Sequence, residues 1–176
     1  MAISVAAIKE LRDLSSASIA DCKKALNDSA GDVQKALKLL RTRGLEKMAS
    51  KGERAAKEGR IEAYVHHGNK IGVLLEVDCE TDFVAKNESF CQFTKDLAMQ
   101  IAATSPKYLM IEDVPKDLMA QYDDKEKDLY YKTHCLMEQP FIKDPALNIK
   151  DLLGSLVAKF NEKIVVRKFA RYKIGE

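Results

Sequence analysis

Through residues 1–45 the apolar positions recur three and four apart. Val5, Ile8, Leu11 and Leu14 make one such run, behind Ser4 as a helix cap. "SIADCKKAL" opens on Ser18 with Asp21 in capping-box spacing, and Ile19, Cys22, Ala25 and Leu26 supply its apolar face. "GDVQKALKLLRTRG" starts at Asp32, buries Val33, Ala36, Leu37 and Leu40, and is expected to stop near Gly44. Three short helices predict a small bundle with a modest core. The charged "LEKMASKGERAAKEGR" that follows is poor in large apolar residues and interrupted by Gly52 and Gly59. It reads as a partly helical linker. The expected division is a helical domain at 1–45, a linker at 46–59 and a core at 60–176.

From residue 60 the period becomes two. Ile61, Ala63 and Val65 alternate, then Ile71, Val73, Leu75 and Val77, with a turn at Gly68-Asn69. A two-residue turn would pair His67 with Lys70 and place the two apolar sets on opposite faces. A three-residue loop pairs Val65 with Ile71, Ala63 with Val73 and Ile61 with Leu75 on one face, and this register is the expected one, with Gly68 or Asn69 at positive φ. A single helix is expected from Thr81 to about Thr104, with Phe90, Phe93, Leu97, Met99 and Ile101 as core material and Pro106 ending it. Pro115 opens another helix, with a break near Asp123-Asp124. "QPFIKDPALN" reads as a loop, Asn148 caps "IKDLLGSLVAKF", and "NEKIVVRKFARYKI" closes the chain as a strand that joins the hairpin. The fold class is α+β: three helices, a linker, then a core with a short three-stranded antiparallel sheet. In that register Tyr64, His66, Leu74 and Val166 occupy the outer sheet face, which is too apolar for a solvated one. A homodimer would cover it.

Composition narrows the function. The 176 residues are 46% hydrophobic and 32% charged, as in a small soluble globular protein. Lys+Arg 29 against Asp+Glu 27 leaves +2, without the basic excess of a dedicated nucleic-acid binder. Cys22, Cys79, Cys91 and Cys135 have no paired or metal-type spacing and read as free thiols in a reducing cytosol. "MAISVAAIKELRDL" lacks the parts of a signal peptide, and no apolar run reaches membrane-spanning length, so a cytoplasmic protein is expected.

Catalytic templates are not met, and no cofactor, metal or enzymatic activity is expected. The glycines are scattered, outside any phosphate-loop context. His66 and His67, adjacent on a strand, point to opposite faces and cannot share one metal. Cys79 with His66 or His134 lacks a third orienting group. "KGERAAKEGR" balances its own charge. What remains is "CETDFVAKNESF", where Phe83 occupies the first turn of the expected helix. Periodicity alone favours packing, since Phe83, Phe90, Phe93 and Leu97 are compatible with one stripe. The other reading is a ring kept for a partner.

Four blocks decide between them: "LRDLSSASIADCKKAL…GDVQKALKLLRTRG", "EGRIEAYVHHGNKIGVLLEVDCETDFVAKNESF", "CLMEQPFIKDP" and "NEKIVVRKFARYKIGE". In this order, over nearly the whole chain, they resemble the translation elongation factor Ts family, and "EVDCETDFVAKN" is the most specific stretch. The resemblance implies a guanine nucleotide exchange factor that promotes GDP release from elongation factor Tu. It implies partner contacts at Thr81, Asp82, Phe83, Val84, Ala85, Lys86 and Asn87, and on the helical domain at Leu11, Arg12, Asp21, Cys22 and Lys23. It implies docking of the three-helix domain on the nucleotide-binding domain of elongation factor Tu, with Phe83 wedged beside the magnesium and phosphate site. Two features depart from the family pattern. Its first loop reads Thr-Gly-Ala-Gly-Met-Met-Asp-Cys-Lys, against Ser15-Ser16-Ala17-Ser18-Ile19-Ala20-Asp21-Cys22-Lys23 here. Longer members also carry a second core copy and a protruding helical hairpin, for which only Asp123–Lys132 stands here. This is the pattern of short forms, which are expected to dimerise. The alternative is a helical docking module of the ubiquitin-associated (UBA-like) type, which the bundle resembles in shape but which leaves "TDFVAKN" unexplained. A cysteine enzyme ranks third.

Overall fold

The computed structural model describes residues 3–50 and 55–176, without the side chains of 47–50. Residues 51–54, in the middle of the expected linker, lie outside the described residues. The chain divides into two compact units, Met1–Ala56 with Asp151–Ile164, and Lys57–Lys150 with Val165–Glu176.

The first unit contains α1 (Val5–Ser15), α2 (Ile19–Asp28) and α3 (Val33–Ser50). Ser4 caps α1 by accepting the Ala7 N–H at 3.1 Å, and Ser18 caps α2 by accepting that of Asp21 at 3.1 Å. Asp32 does the same for α3 through the Lys35 N–H at 3.0 Å. Leu11, Ala17, Cys22, Ala25, Leu26, Ala36 and Leu40 form the core. Val5, Leu14 and Ile19, expected on buried faces, are exposed.

The helix expected to stop near Gly44 runs through it. The reason lies across the unit: a Cβ at Gly44 would collide with the Gly154 carbonyl, and one at Gly154 would lie 2.6 Å from the Arg41 carbonyl. Gly154 belongs to the helix Ile149–Phe160, which groups from Asp151 onward with this unit. Gly44 is therefore a close-approach glycine, not a stop signal.

In the second unit β1 (Glu58–Val65) and β2 (Ile71–Cys79) form the hairpin, followed by α4 (Asp82–Lys86) and α5 (Glu88–Thr104). Then come α6 (Lys116–Met119), α7 (Asp124–His134), β3 (Pro140–Phe141), β4 (Asp144–Asn148) and β5 (Val165–Lys173), with the helix Ile149–Phe160, α8, between the last two in the chain and grouped from Asp151 with the first unit. The sheet is antiparallel with order β1-β2-β5, as expected. Asp123, with Glu126 completing a capping box, starts α7 where a break was expected. "QPFIKDPALN" is not a loop, because Pro140 pairs with Asn148 and Phe141 with Asp144.

The hairpin register differs from expectation by one residue. Val65 pairs with Gly72, Ala63 with Leu74 and Glu62 with Leu75. His66 donates its N–H to the Ile71 carbonyl at 2.9 Å, and Gly68 and Asn69 both take positive φ. This is the register of the two-residue turn, and it turns β1 over. Glu62 is buried with Val73, Leu75 and Val77 against α5, while Ile61, Ala63 and Val65 face outward. Tyr64 and Val166, expected on the outer face, lie on the inner one; Tyr64 pairs with Val73, and Val166 is buried opposite Val77. The outer face carries Ile61, Ala63, Val65, Leu74, Ala170 and Tyr172, together with the Glu76–Lys168 ion pair. Among the described residues no helix is long and apolar enough to cross a membrane.

Candidate partner-docking site

The expected single helix is two. Asn87 has an extended backbone, ends α4 and caps α5 by accepting the Ser89 N–H at 2.9 Å. The break takes Phe83 out of the stripe that Phe90, Phe93 and Leu97 form in the core, and its ring is 83% exposed. Packing on the hairpin is excluded by that exposure.

The turn carrying Phe83 has five residues and is held from several sides. Thr81 caps it by accepting the Val84 N–H at 3.4 Å, and the Cys79 thiol donates to the Thr81 carbonyl at 3.1 Å. Val84 is buried and anchors the turn in the core. On the outside Lys86 donates to the Asp82 carboxylate at 2.7 Å. That hydrogen bond, and the charge behind it, hold the Asp82 carboxyl below its ordinary value and the Lys86 ammonium above its own. Both stay charged at neutral pH. The result is an aromatic ring flanked by a closed ion pair.

Within "TDFVAKN", Phe83, Lys86 and Asn87 are exposed, Thr81, Asp82 and Ala85 are partly so, and Val84 is interior. On the helical unit Arg12 and Lys23 are exposed and Asp21 is half-buried. Leu11 and Cys22 have no exposed surface. A contact role for those two is corrected to a supporting one, because a side chain enclosed by its own helices cannot touch a second protein. The exposed apolar groups nearby in the chain are Leu14 and Ile19, which helical periodicity assigned to the core.

The remaining candidates for chemistry have other engagements. Tyr64 and His66 share a 2.9 Å hydrogen bond through Nδ1. Burial pushes the Cys135 thiol up to about 11, away from nucleophilic use. Among the described residues no three His, Cys, Asp or Glu side chains group to hold a metal. An exposed ring held on a braced turn is a surface feature suited to docking on another macromolecule.

The profile of the family described as elongation factor TS matches residues 2–130. The chain is 44% identical to elongation factor Ts of Caldanaerobacter subterraneus subsp. tengcongensis over 199 residues, covering 99% of this chain and 98% of that one. It is 44% identical to that of Thermodesulfovibrio yellowstonii, over all of this chain and 98% of the relative, and 44% identical to that of Herpetosiphon aurantiacus, over 99% of each. The chain belongs to the elongation factor Ts family. Its role is that of a nucleotide exchange factor in translation elongation.

Proposed function

We propose that this chain releases GDP from elongation factor Tu by binding alone, in the cytosol, with Phe83 as the wedge and no contact to nucleic acid. The observation that carries the reading is the exposure of Phe83 on a turn fixed from beneath. A ring held in solvent on a fixed turn offers a partner its apolar area to bury and aromatic contact of the kind enriched at interfaces. Arg12, Asp21 and Lys23, with Leu14 and Ile19, supply the second contact, on the nucleotide-binding domain of the partner. Pushing apart the groups around a bound magnesium and its phosphates lowers nucleotide affinity, and GDP must weaken the factor's binding by the same amount.

Phe83 cannot do this alone. A 10⁴-fold shift requires roughly 5.5 kcal/mol of differential binding, whereas burying a phenylalanine yields about 1.5–3 kcal/mol. The helical unit and the rest of the core supply the difference. Stopped-flow release of a fluorescent GDP from elongation factor Tu tests the assignment. Phe83→Ala is expected to slow exchange by roughly 10- to 100-fold, while its melting temperature stays near wild type because the ring leaves no cavity. Unchanged release would rule out the wedge.

The second partner is another copy of the chain. The outer face groups Ile61, Val65, Leu74, Ala170 and Tyr172 on a three-stranded sheet, with the Glu76–Lys168 ion pair beside Ile61, and a two-fold pairing of such faces closes a sandwich.

A further inference from the structure

Glu62 is 8% exposed, on the sheet face where a carboxylate is least expected. An unpaired carboxylate there would be strongly destabilising. Its Oε2 accepts from Arg60 Nε at 2.8 Å and from Thr94 Oγ1 at 3.0 Å. The hydrogen bond to Glu62 also raises the Arg60 pKa above its ordinary value. Arg60 uses its other arm differently: Nη1 donates to Cys91 Sγ at 3.5 Å, and the Cys91 thiol donates to the Ala85 carbonyl at 3.6 Å. Both distances are ordinary for sulfur, which is a weak donor and acceptor.

Ala85 lies two residues after Phe83 in the same short helix. A helix of five residues is far below the length that is stable by itself, so its orientation comes from its surroundings. The polar chain from Glu62 through Arg60 and Cys91 reaches the carboxyl-terminal side of that turn, while Cys79 and Thr81 hold its start. We infer that Glu62, Arg60 and Cys91 are positioning residues for exchange, fixing the tilt at which Phe83 meets the partner. This rests on the reading of Phe83 as the wedge. Well-packed apolar residues would hold strand and helix together at least as firmly as a buried ion pair does. What a hydrogen-bonded chain adds is direction, since each link has a preferred angle.

The test uses the full chain and elongation factor Tu loaded with fluorescent GDP, measuring exchange as a function of factor concentration. Arg60→Lys, which keeps a cation for Glu62 but lacks the second arm, and Cys91→Val are expected to lower the saturating rate by about tenfold, a magnitude typical of coupled neighbours, with the half-saturating concentration nearly unchanged. Cys91→Ser, which keeps a donor and an acceptor, is expected to restore most of the rate. In a Phe83→Ala background neither Arg60→Lys nor Cys91→Val should slow exchange further. If Phe83→Ala is slow but these two variants match wild type, or if their effects add to it in full, the positioning inference is overturned and the wedge stands. If Phe83→Ala itself exchanges normally, the wedge fails and the inference falls with it. Melting curves on every variant separate lost fold from lost aim: a slow variant with a wild-type melt supports the inference, and a rate loss that merely follows lost stability overturns it.

Discussion

Replacing Leu74 by glutamate probes the outer sheet face at its centre, because β2 is the middle strand and Leu74 pairs there with Ala63 and Ala170. Ile61 and Tyr172 are each 71% exposed, Val65 is 63% and Leu74 is 49%. Full burial of such a side chain yields about 1.5–3 kcal/mol, so covering what is exposed recovers roughly 1–2 kcal/mol each. Four such groups on each of two copies give on the order of 8–16 kcal/mol before the cost of association. That cost is about 4–15 kcal/mol, and a micromolar dimer needs a net of about 8 kcal/mol. These groups reach that net only when the association cost lies near its lower bound, so a dimer built on them has no reserve and every group counts. Leu74→Glu loses two of the eight contributions and buries two carboxylates facing one apolar sheet. Each buried ion costs several kcal/mol, so the dissociation constant should rise at least about 100-fold. Sedimentation equilibrium from about 1 to about 100 µM reads this directly. Lys125→Glu on α7, outside the face, is the control and should leave the constant unchanged. A wild-type chain that stays monomeric over that range, or a Leu74→Glu chain that dimerises normally, would refute the reasoning.

Gly44→Ala sets helix propensity against packing. An exposed helical position would gain about 1 kcal/mol, but here the added methyl meets backbone, and overpacking of about 1–3 kcal/mol should lower Tm by about 2–10 °C. A raised Tm in a melting curve would mean that α3 and α8 do not approach as described. For pH, His134 is the informative group. Partial burial, followed by the charge of Lys107, holds its imidazole below the ordinary value. The unfolded chain then binds the proton more readily than the folded one, so stability should fall as pH drops through about 6.5. His134→Gln should remove that component of the Tm–pH profile; an unchanged profile would count against it.

Local rules were enough for much of the fold. Ser4, Ser18, Asp32 and Asp123 each cap the helix they precede, since capping needs only neighbours in sequence. The closing strand was legible from its β-branched residues. The failures share a physical cause, namely partners far away in the chain. Gly44 looks like a stop until Gly154 is placed beside it. The break at Asn87 was visible only as a residue able to cap, inside a run that otherwise reads as one helix. Phe83 stood out because a bulky ring in a first turn is unusual, but its supports did not: Arg60 and Cys91 are 31 residues apart. Leu11 and Cys22 show the converse error. A family motif marks a contact region without separating the residues that face outward from those that hold them there.

The register of the hairpin ties these points together. Apolar parity in β1 points to Ile61, Ala63 and Val65 as the inner set, which holds for a sheet with one buried face. Here each face mixes apolar groups with an ion pair, Arg60–Glu62 inside and Glu76–Lys168 outside, so parity no longer tells inside from outside. In the expected register Arg60 and Glu62 would face solvent beside Tyr64 and Leu74, and the inner face would be uniformly apolar. That arrangement would leave Cys91 and Ala85 without their link to the sheet through Arg60. Shifting β1 by one residue does both jobs together, sending Glu62 inward to brace the turn that carries Phe83 and sending Ile61 and Val65 outward. Arg60 and Thr94 offset the buried carboxylate within the chain, whereas the outer apolar groups would be covered only in the dimer proposed above. The register therefore makes sense for a protein that works as part of a larger assembly.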